Sequence, residues 1–331
     1  MKKINGLLHT IGKSSTNIQS QRTKSFGYQV LGFGSGGEAG SPLAQVTQKA
    51  IMAFGSVSAV SNLSNLISSS GVVASDTAGV GTARDNAAGT GYGTDKAIFG
   101  FGWSTGNTGI TNLVSNSGVV ATDTAAVGTG RHGLSATQYG SDKAIFIWGN
   151  TTQINLVSSS GVVASDSTAA AGTARSYASA SPYGLDKAIF AYGSGYSNTS
   201  NLISSSGVIG SDVSGVGTAR SALTSASFGN GQAIFAYGST GTNVSLSNLV
   251  TNLGVVGSDV TGVGTDRQTQ AGASYGGDKG IFCYGSNPGS AAANRLAISN
   301  LVTNKGVVGT DNAVAGTART YVPGAEYSLT A

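Results

Sequence analysis

The sequence predicts an all-β chain folded as one closed six-bladed β-propeller, with a short N-terminal arm. Three observations carry this: a repeat that returns six times, four short β segments in each copy, and a composition built for tight turns. Repeats of about 40–50 residues with four strands each are the signature of propeller blades.

The repeat has a fixed order: an apolar strand, a polar loop, Asn-Leu, Gly-Val-Val, an Asp, then Gly-Thr-x-Arg. The strand reads KAIMAFG at 49–55, DKAIFGFG at 95–102, DKAIFIWG at 142–149, DKAIFAYG at 186–193, GQAIFAYG at 231–238 and DKGIFCYG at 278–285. Its isoleucines, Ile51, Ile98, Ile145, Ile189, Ile234 and Ile281, step by 47, 47, 44, 45 and 47 residues. The length differences fall in the Gly/Ser/Asn loop after the strand, where a constant frame tolerates them. In the third full unit the four segments are expected at about 175–182, 187–192, 200–205 and 207–211. The second is apolar on both faces, as a strand covered on both sides reads.

The chain ends in TYVPGAEYSLTA after Arg319, which resembles the first strand following each earlier Arg. It is therefore expected to complete the first blade and remove the exposed edges of an open array. Residues 39–47 are the alternative source of that strand, and 25–37 (SFGYQVLGFGSGG) the alternative site of an extra partial blade. The expected division is an arm and lead-in at 1–37 and the propeller at 38–331.

Composition agrees. The 331 residues include 52 glycines and 4 prolines, 39% apolar residues and a net charge of +4, too apolar and too weakly charged for disorder. Lone Cys283 has no internal disulfide partner and reads as a buried thiol; two histidines and one cysteine make a His/Cys zinc site untenable. No apolar run approaches the roughly 20 residues of a membrane helix. The opening MKKINGLLHTIGKSS does not read as a secretory signal, because Gly6, His9 and Gly12 interrupt its short apolar part.

Residues 1–24 differ from the rest. They hold Lys2, Lys3, Lys13, Arg22 and Lys24 and no acid, whereas the remainder carries 13 basic and 14 acidic groups. Ile4, Leu7, Leu8 and Ile11 fall on one helical face. With Lys2, Lys3 and Lys13 they are the expected partner-docking residues; the alternative is a frayed terminus with chance spacing.

Within the repeats, Asp76, Asp123, Asp166, Asp212, Asp259 and Asp311 precede Arg84, Arg131, Arg175, Arg220, Arg267 and Arg319 by eight or nine residues. Recurrence in every unit favours a structural clamp at each blade-to-blade link over a charged ring for a polyanion or sugar. Asn65, Asn112, Asn155, Asn201, Asn248 and Asn300 read as turn or ladder-capping residues. The Asp-Lys pairs before the apolar strand read as solvated turns. No nucleophile elbow, P-loop, HExxH or calcium loop is present. His132 is the one histidine that breaks the repeat, and the loop aromatics Trp103 and Tyr196 could stack on sugars, whereas Trp148 reads as core.

ARSYASASPYGLDKAIFAYG (174–193) and SNLISSSGVIGSD (200–212) resemble the kelch repeat, with one glycine in place of its double glycine and Val in place of its Trp. The wording GVVxSDxxGVGTAR followed by YGxDKAIFxYG resembles repeats in structural proteins of tailed, especially marine and cyanobacterial, bacteriophages. That resemblance implies a non-enzymatic virion component of the tail, its fibres or a surface decoration. It would be made in the host cytoplasm and docked by its arm to other virion proteins. It would have no catalytic residues and no cofactor, no nucleic acid at the propeller and no membrane insertion. The alternatives are a glycan-binding adhesin recognising a host surface, and an enzyme. An enzyme would need a few unrepeated polar groups converging on the channel.

Overall fold

The structure, a computed structural model, describes residues 48–169, 171–288 and 292–328. The arm residues Lys2 to Lys13, and the alternatives at 25–37 and 39–47, lie outside the described residues. Among the described residues six antiparallel sheets are present, four of three strands and two of four, and each is one blade. Blades 1 to 6 are numbered by their central strands: Lys49–Ala53, Lys96–Gly100, Lys143–Ile147, Lys187–Ala191, Gln232–Ala236 and Lys279–Cys283. The six repeat isoleucines on these strands are all fully buried. Each central strand has sheet neighbours on both sides and another blade against each face, which is why it is apolar throughout.

The inner strands are Ala88–Tyr92, Ser135–Tyr139, Ser179–Tyr183, Thr224–Phe228 and Ala271–Tyr275 in blades 2 to 6. Blade 1 takes its inner strand from the other end of the chain: Gly324–Tyr327 pairs with Lys49–Ala53, with Ile51 opposite Ala325. The ring is thus closed by a sheet shared between the first and last strands, as expected from the sequence. Inner strands touch their neighbours around the whole ring. Their small residues permit this: a Cβ on Gly272 would lie 2.3 Å from the Ser225 carbonyl oxygen, and one on Gly324 2.5 Å from that of Gly272.

Two belts of backbone hydrogen bonds tie the blades together. On one face, the residue ending each inner strand donates its N–H to the next blade: Gly93 to Asp142, Gly140 to Asp186, Gly184 to Gly231, Gly229 to Asp278, Gly276 to Gln48 and Ser328 to Asp95, at 2.7–2.9 Å. On the other face the direction reverses. Gly133 donates to Asn86, Tyr177 to Gly133, Ala222 to Tyr177, Thr269 to Ala222 and Tyr321 to Thr269, at 2.8–3.0 Å. The six residues of this second belt all have positive φ, between 51° and 63°. That conformation aims each N–H around the ring rather than along its own strand.

The fourth segment is weaker than the sequence suggests. Among the described residues it pairs in every blade through a single bridge such as Ile203 to Ile209, and a two-residue strand forms beyond it only at Ser167–Thr168 and Asn312–Ala313. At the outer edge of a blade only one side has a pairing partner, so irregular backbone is tolerated there.

Candidate functional site

The repeated arginines are enclosed between blades. Arg84, Arg131, Arg220, Arg267 and Arg319 are completely buried, and Arg175 nearly so. Each stacks on an aromatic residue ending the central strand of the preceding blade: Arg84 over Phe54 and Arg131 over Phe101 at 3.9 Å, Arg220 over Tyr192 at 4.3 Å, Arg267 over Tyr237 at 4.0 Å and Arg319 over Tyr284 at 4.7 Å. Arg175 lies 5.7 Å from the Trp148 ring and 4.9 Å from that of Phe190. Trp148 is core, as its strand position suggests.

Each guanidinium donates to the buried Asn of its own blade, for example Arg131 to Asn155 at 2.6 Å and Arg220 to Asn248 at 2.7 Å. The Asn side chain donates onward to an Asp, Asn155 to Asp166 at 3.0 Å and Asn248 to Asp259 at 2.9 Å. That Asp also accepts from the Thr two residues before the Arg, as Asp166 does from Thr129 at 2.7 Å. The Asn residues are therefore buried hubs, and each also caps the outer segment of its blade, as Asn155 does by donating to the Ala164 carbonyl at 2.9 Å.

The Asp facing each Arg is not the one eight residues before it. Arg84 faces Asp123, Arg131 Asp166, Arg175 Asp212, Arg220 Asp259, Arg267 Asp311 and Arg319 Asp76. The Gly-Thr-x-Arg linker leaves the outer edge of one blade and lies against the next, so it meets the carboxylate of the following repeat. Burial pulls Arg84 and Arg131 down to about 10, partly offset by Asp123 and Asp166, so both remain cationic at neutral pH. Partial burial works to raise Asp76, Asp123, Asp166, Asp259 and Asp311. Hydrogen bonds from Thr and Asn, with the Arg charge, outweigh it and hold them below the usual carboxylate range.

The residues just after these arginines are not repeated. The first position reads Asp85, His132, Ser176, Ser221, Gln268 and Thr320; the second reads Asn86, Gly133, Tyr177, Ala222, Thr269 and Tyr321. The second set is the positive-φ belt. It rims a cavity of about 140 Å³ at one mouth of the channel, lined further by the starts of the inner strands. The first set lies outside it, where Asp85 bridges Trp103 and Trp103 bridges Asn107.

Several side chains converge here. His132 Nδ1 is 2.7 Å from Asn107 Oδ1. The His132 ring meets Trp103 edge-on at 5.7 Å and lies 6.4 Å from the Tyr177 ring. Trp103 is 42% exposed. Burial raises the Asp85 carboxyl, and an Asn86 hydrogen bond with the charges of His132 and Arg295 only partly offsets this. Burial also raises the Tyr177 hydroxyl, aided by the charges of Tyr321 and Asp85. Tyr177 and Tyr321 come from blades 4 and 1, across the ring from one another.

Only His132 and Trp103 of this group stand out by inspection of single repeats. Asp85, Asn107, Tyr177, Tyr321 and Arg295 do not. The available signal was the pair of variable columns directly behind an unvarying Arg. Tyr196 is exposed in a loop. Cys283 is fully buried in the blade 6 central strand, and burial pushes its thiol up to about 12.

No family model matches the sequence. No curated protein matches it either. Solved structures do match, among them a fungal alcohol oxidase of the AA5 family in complex with copper. The TM-score is 0.53 at 14% identity, covering 82% of this chain and 65% of that one, so the chain spans less than two thirds of that structure's length. At that identity the likeness is one of fold.

It corrects the functional expectation drawn from the repeat wording. Against the phage tail, tail-fibre and decoration reading, its host-adhesin alternative and the non-enzymatic assignment, the solved fold that the chain resembles is that of an oxidase and not of a virion protein. Of the side chains at this mouth Tyr177 and Tyr321 line the cavity, and Asp85, His132 and Trp103 stand outside it. The residues present do not fit a copper centre. Among the described residues no three His, Cys, Asp or Glu side chains gather to hold a metal ion, His132 is the sole histidine, and Cys283 is an enclosed neutral thiol.

Proposed function

We propose that the chain is an enzyme catalysing proton transfer on a small hydroxylated substrate seated at the mouth ringed by Asn86, Gly133, Tyr177, Ala222, Thr269 and Tyr321. The observation that carries this reading is the convergence of His132, Asp85 and Tyr177 where a six-fold frame would otherwise repeat itself. The Asn107 oxygen accepts from Nδ1, which leaves the basic lone pair of His132 on Nε2. Burial raises the Asp85 carboxyl, and shifts in that direction favour a role in acid–base machinery. Tyr177, with its hydroxyl raised, stays a hydrogen-bond donor at neutral pH. Ser, Thr and Asn groups around the cavity suit hydroxyls, and its volume limits the substrate to a single small ring or chain. We assign the Arg–Asn–Asp–Thr clamps to holding the blades that present this site.

The test is a turnover screen of small glycosides and hydroxy acids with the full chain, followed by His132→Ala and Asp85→Asn. Saturable turnover lost in both variants, with an unchanged circular dichroism spectrum, is expected. Turnover that survives both, or none across the screen, overturns the reading.

A further inference from the structure

The mouth is lopsided. The residue after the glycine that closes each central strand reads Ser56, Trp103, Asn150, Ser194, Ser239 and Ser286 in blades 1 to 6. This position pairs through its backbone with the residue that follows the clamp arginine of its own blade, as Trp103 does with Asp85 at 2.8 and 2.9 Å and Ser239 with Ser221 at the same distances. Backbone makes the pairing, so it asks nothing of the side chain, and Ser56, Ser239 and Ser286 are buried. Trp103 is the one large residue in this column, and 42% of it is exposed.

Two further departures from the repeat touch it in sequence around the ring. The His132 ring meets Trp103 edge-on at 5.7 Å and lies 6.4 Å from that of Tyr177. Gly133 leaves room for the second contact, since a Cβ there would lie 3.2 Å from the Tyr177 ring. On blades 5 and 6 the positions of His132 and Tyr177 hold Ser221, Ala222, Gln268 and Thr269. One sector of the mouth, across blades 2 to 4, is therefore an aromatic strip, and the facing sector is small and mostly polar. A lone exposed apolar residue needs no explanation. Three unrepeated aromatics in ring contact do, because the other blades show that the frame does without them. The strip runs from solvent into the site: Tyr177 lines the cavity, and Trp103 and His132 stand outside it.

A sugar ring with equatorial hydroxyls has C–H faces and an O–H rim. Its face suits an indole and its rim suits the polar sector. The cavity of about 140 Å³ has room for one such ring. His132 and Asp85 lie beyond it, so a substrate that enters the cavity and also reaches them continues past the rim.

We propose that the strip is a second saccharide subsite with Trp103 as its stacking face, so that the substrate is the end of a chain of two or more sugar rings. The terminal ring enters the cavity past Tyr177, and the next lies on Trp103. This rests on the channel mouth being the substrate site.

The test is isothermal titration of the full chain with glucose, cellobiose, xylose and xylobiose, read beside tryptophan fluorescence. In at least one series the disaccharide should bind about three- to tenfold more tightly than the monosaccharide, the scale of one aromatic stacking contact. Trp148 is enclosed, so a fluorescence change on adding disaccharide reports Trp103. Trp103→Ser installs the residue found in four other blades and should melt with the wild type. It should abolish the fluorescence change and bring the disaccharides down to the level of the monosaccharides, and Trp103→Phe should keep part of the preference. Equal binding of mono- and disaccharide in both series, or a preference that survives Trp103→Ser, overturns the inference. If monosaccharides then still bind and lose affinity in His132→Ala, the mouth remains the site and only the second subsite has failed. No binding of any of the four by the wild type overturns both.

Discussion

The imidazole of His132 in blade 3 is held by a residue of blade 2, its Nδ1 lying 2.7 Å from Asn107 Oδ1. The pairing crosses a blade boundary, so the tautomer of the histidine depends on how two repeats meet. Removing the imidazole should lower turnover by about 10²–10⁴-fold, the usual contribution of a positioned acid or base. Asn107→Ala should leave a weaker enzyme whose pH–rate profile is shifted, because the ring loses the partner that fixes its proton on Nδ1. A profile identical to wild type after Asn107→Ala would mean that the amide does not orient the base.

Asp85 gives a prediction of opposite sign for stability and activity. Its carboxyl is raised on folding, so the folded state binds a proton more readily than the unfolded chain does. Its contribution is therefore most favourable below the ordinary carboxyl value of 3.8 and is lost as pH rises through the folded value. Asp85→Asn should raise the melting temperature at pH 7, and the gain should vanish on acidification below that range. The same substitution should abolish turnover. Stability surrendered at a working site is a common exchange. A variant less stable than wild type at neutral pH would show that Asp85 serves the frame.

The fold was legible because a propeller repeats its core. Ile51 through Ile281 marked six central strands, and each is fully buried. The site was legible only in part. His132 broke the repeat visibly, but Asp85 and Tyr177 occupy positions where every repeat differs, so no single unit exposes them. Arg295 lies in the loop whose length varies between blades, and only the bridge to Ser286 gives its register. The clamp partners were not legible, because sequence proximity sets Asp76 nearest to Arg84. The chain path instead puts Arg84 beside Asp123 and sends Asp76 to Thr317 and Arg319 at the closure.

The clamps should set acid stability. All six aspartates are held below their ordinary value in the fold, so they favour it above pH 3.8 and lose that contribution as pH falls through their folded values. Asp85 and Glu326, both raised, act in the opposite sense but are two against six. Stability should therefore fall steeply below about pH 3.8, and Asp259→Asn should flatten the slope. A melting temperature independent of pH between 5 and 2.5, both roughly bracketing that value, would count against the clamps as contributors.

Removing one guanidinium tests the same clamps from the other side. Arg220→Ala strands the Asn248 oxygen at 2.7 Å and the Tyr237 carbonyl at 2.9 Å, both buried. Each unsatisfied group costs about 1–3 kcal/mol. Lys in that position cannot replace the planar fork or its stacking on Tyr192, so Arg220→Lys should recover little. Arg220→Ala should leave the affinity of folded protein for its substrate unchanged, because the clamp is remote from the groups at the mouth. Chemical denaturation and binding measured on the same variant separate the two effects. Lost binding at unchanged stability would make the arginine ring functional.

Closure yields the last prediction. Among the described residues Gly324–Tyr327 is the one inner strand of blade 1, and the N–H of Ser328 just after it completes one backbone belt on the Asp95 carbonyl at 2.8 Å. Arg319 supplies the clamp between blades 6 and 1, and Tyr321 completes the belt at the mouth through Thr269 at 2.9 Å. Removing residues 320–331 keeps Arg319 but takes away the strand, both belt contacts and the lining at Tyr321. It exposes the Lys49–Ala53 edge of blade 1 and opens the faces of blades 2 and 6 that pack on the lost strand. An unpaired apolar edge invites association with other chains. The truncated chain should aggregate or unfold at a much lower temperature, and a peptide of residues 320–331 added in excess should restore part of the loss, since it binds only the folded ring. A truncated protein that melts with the intact one would mean that the ring is held shut by contacts other than this shared sheet.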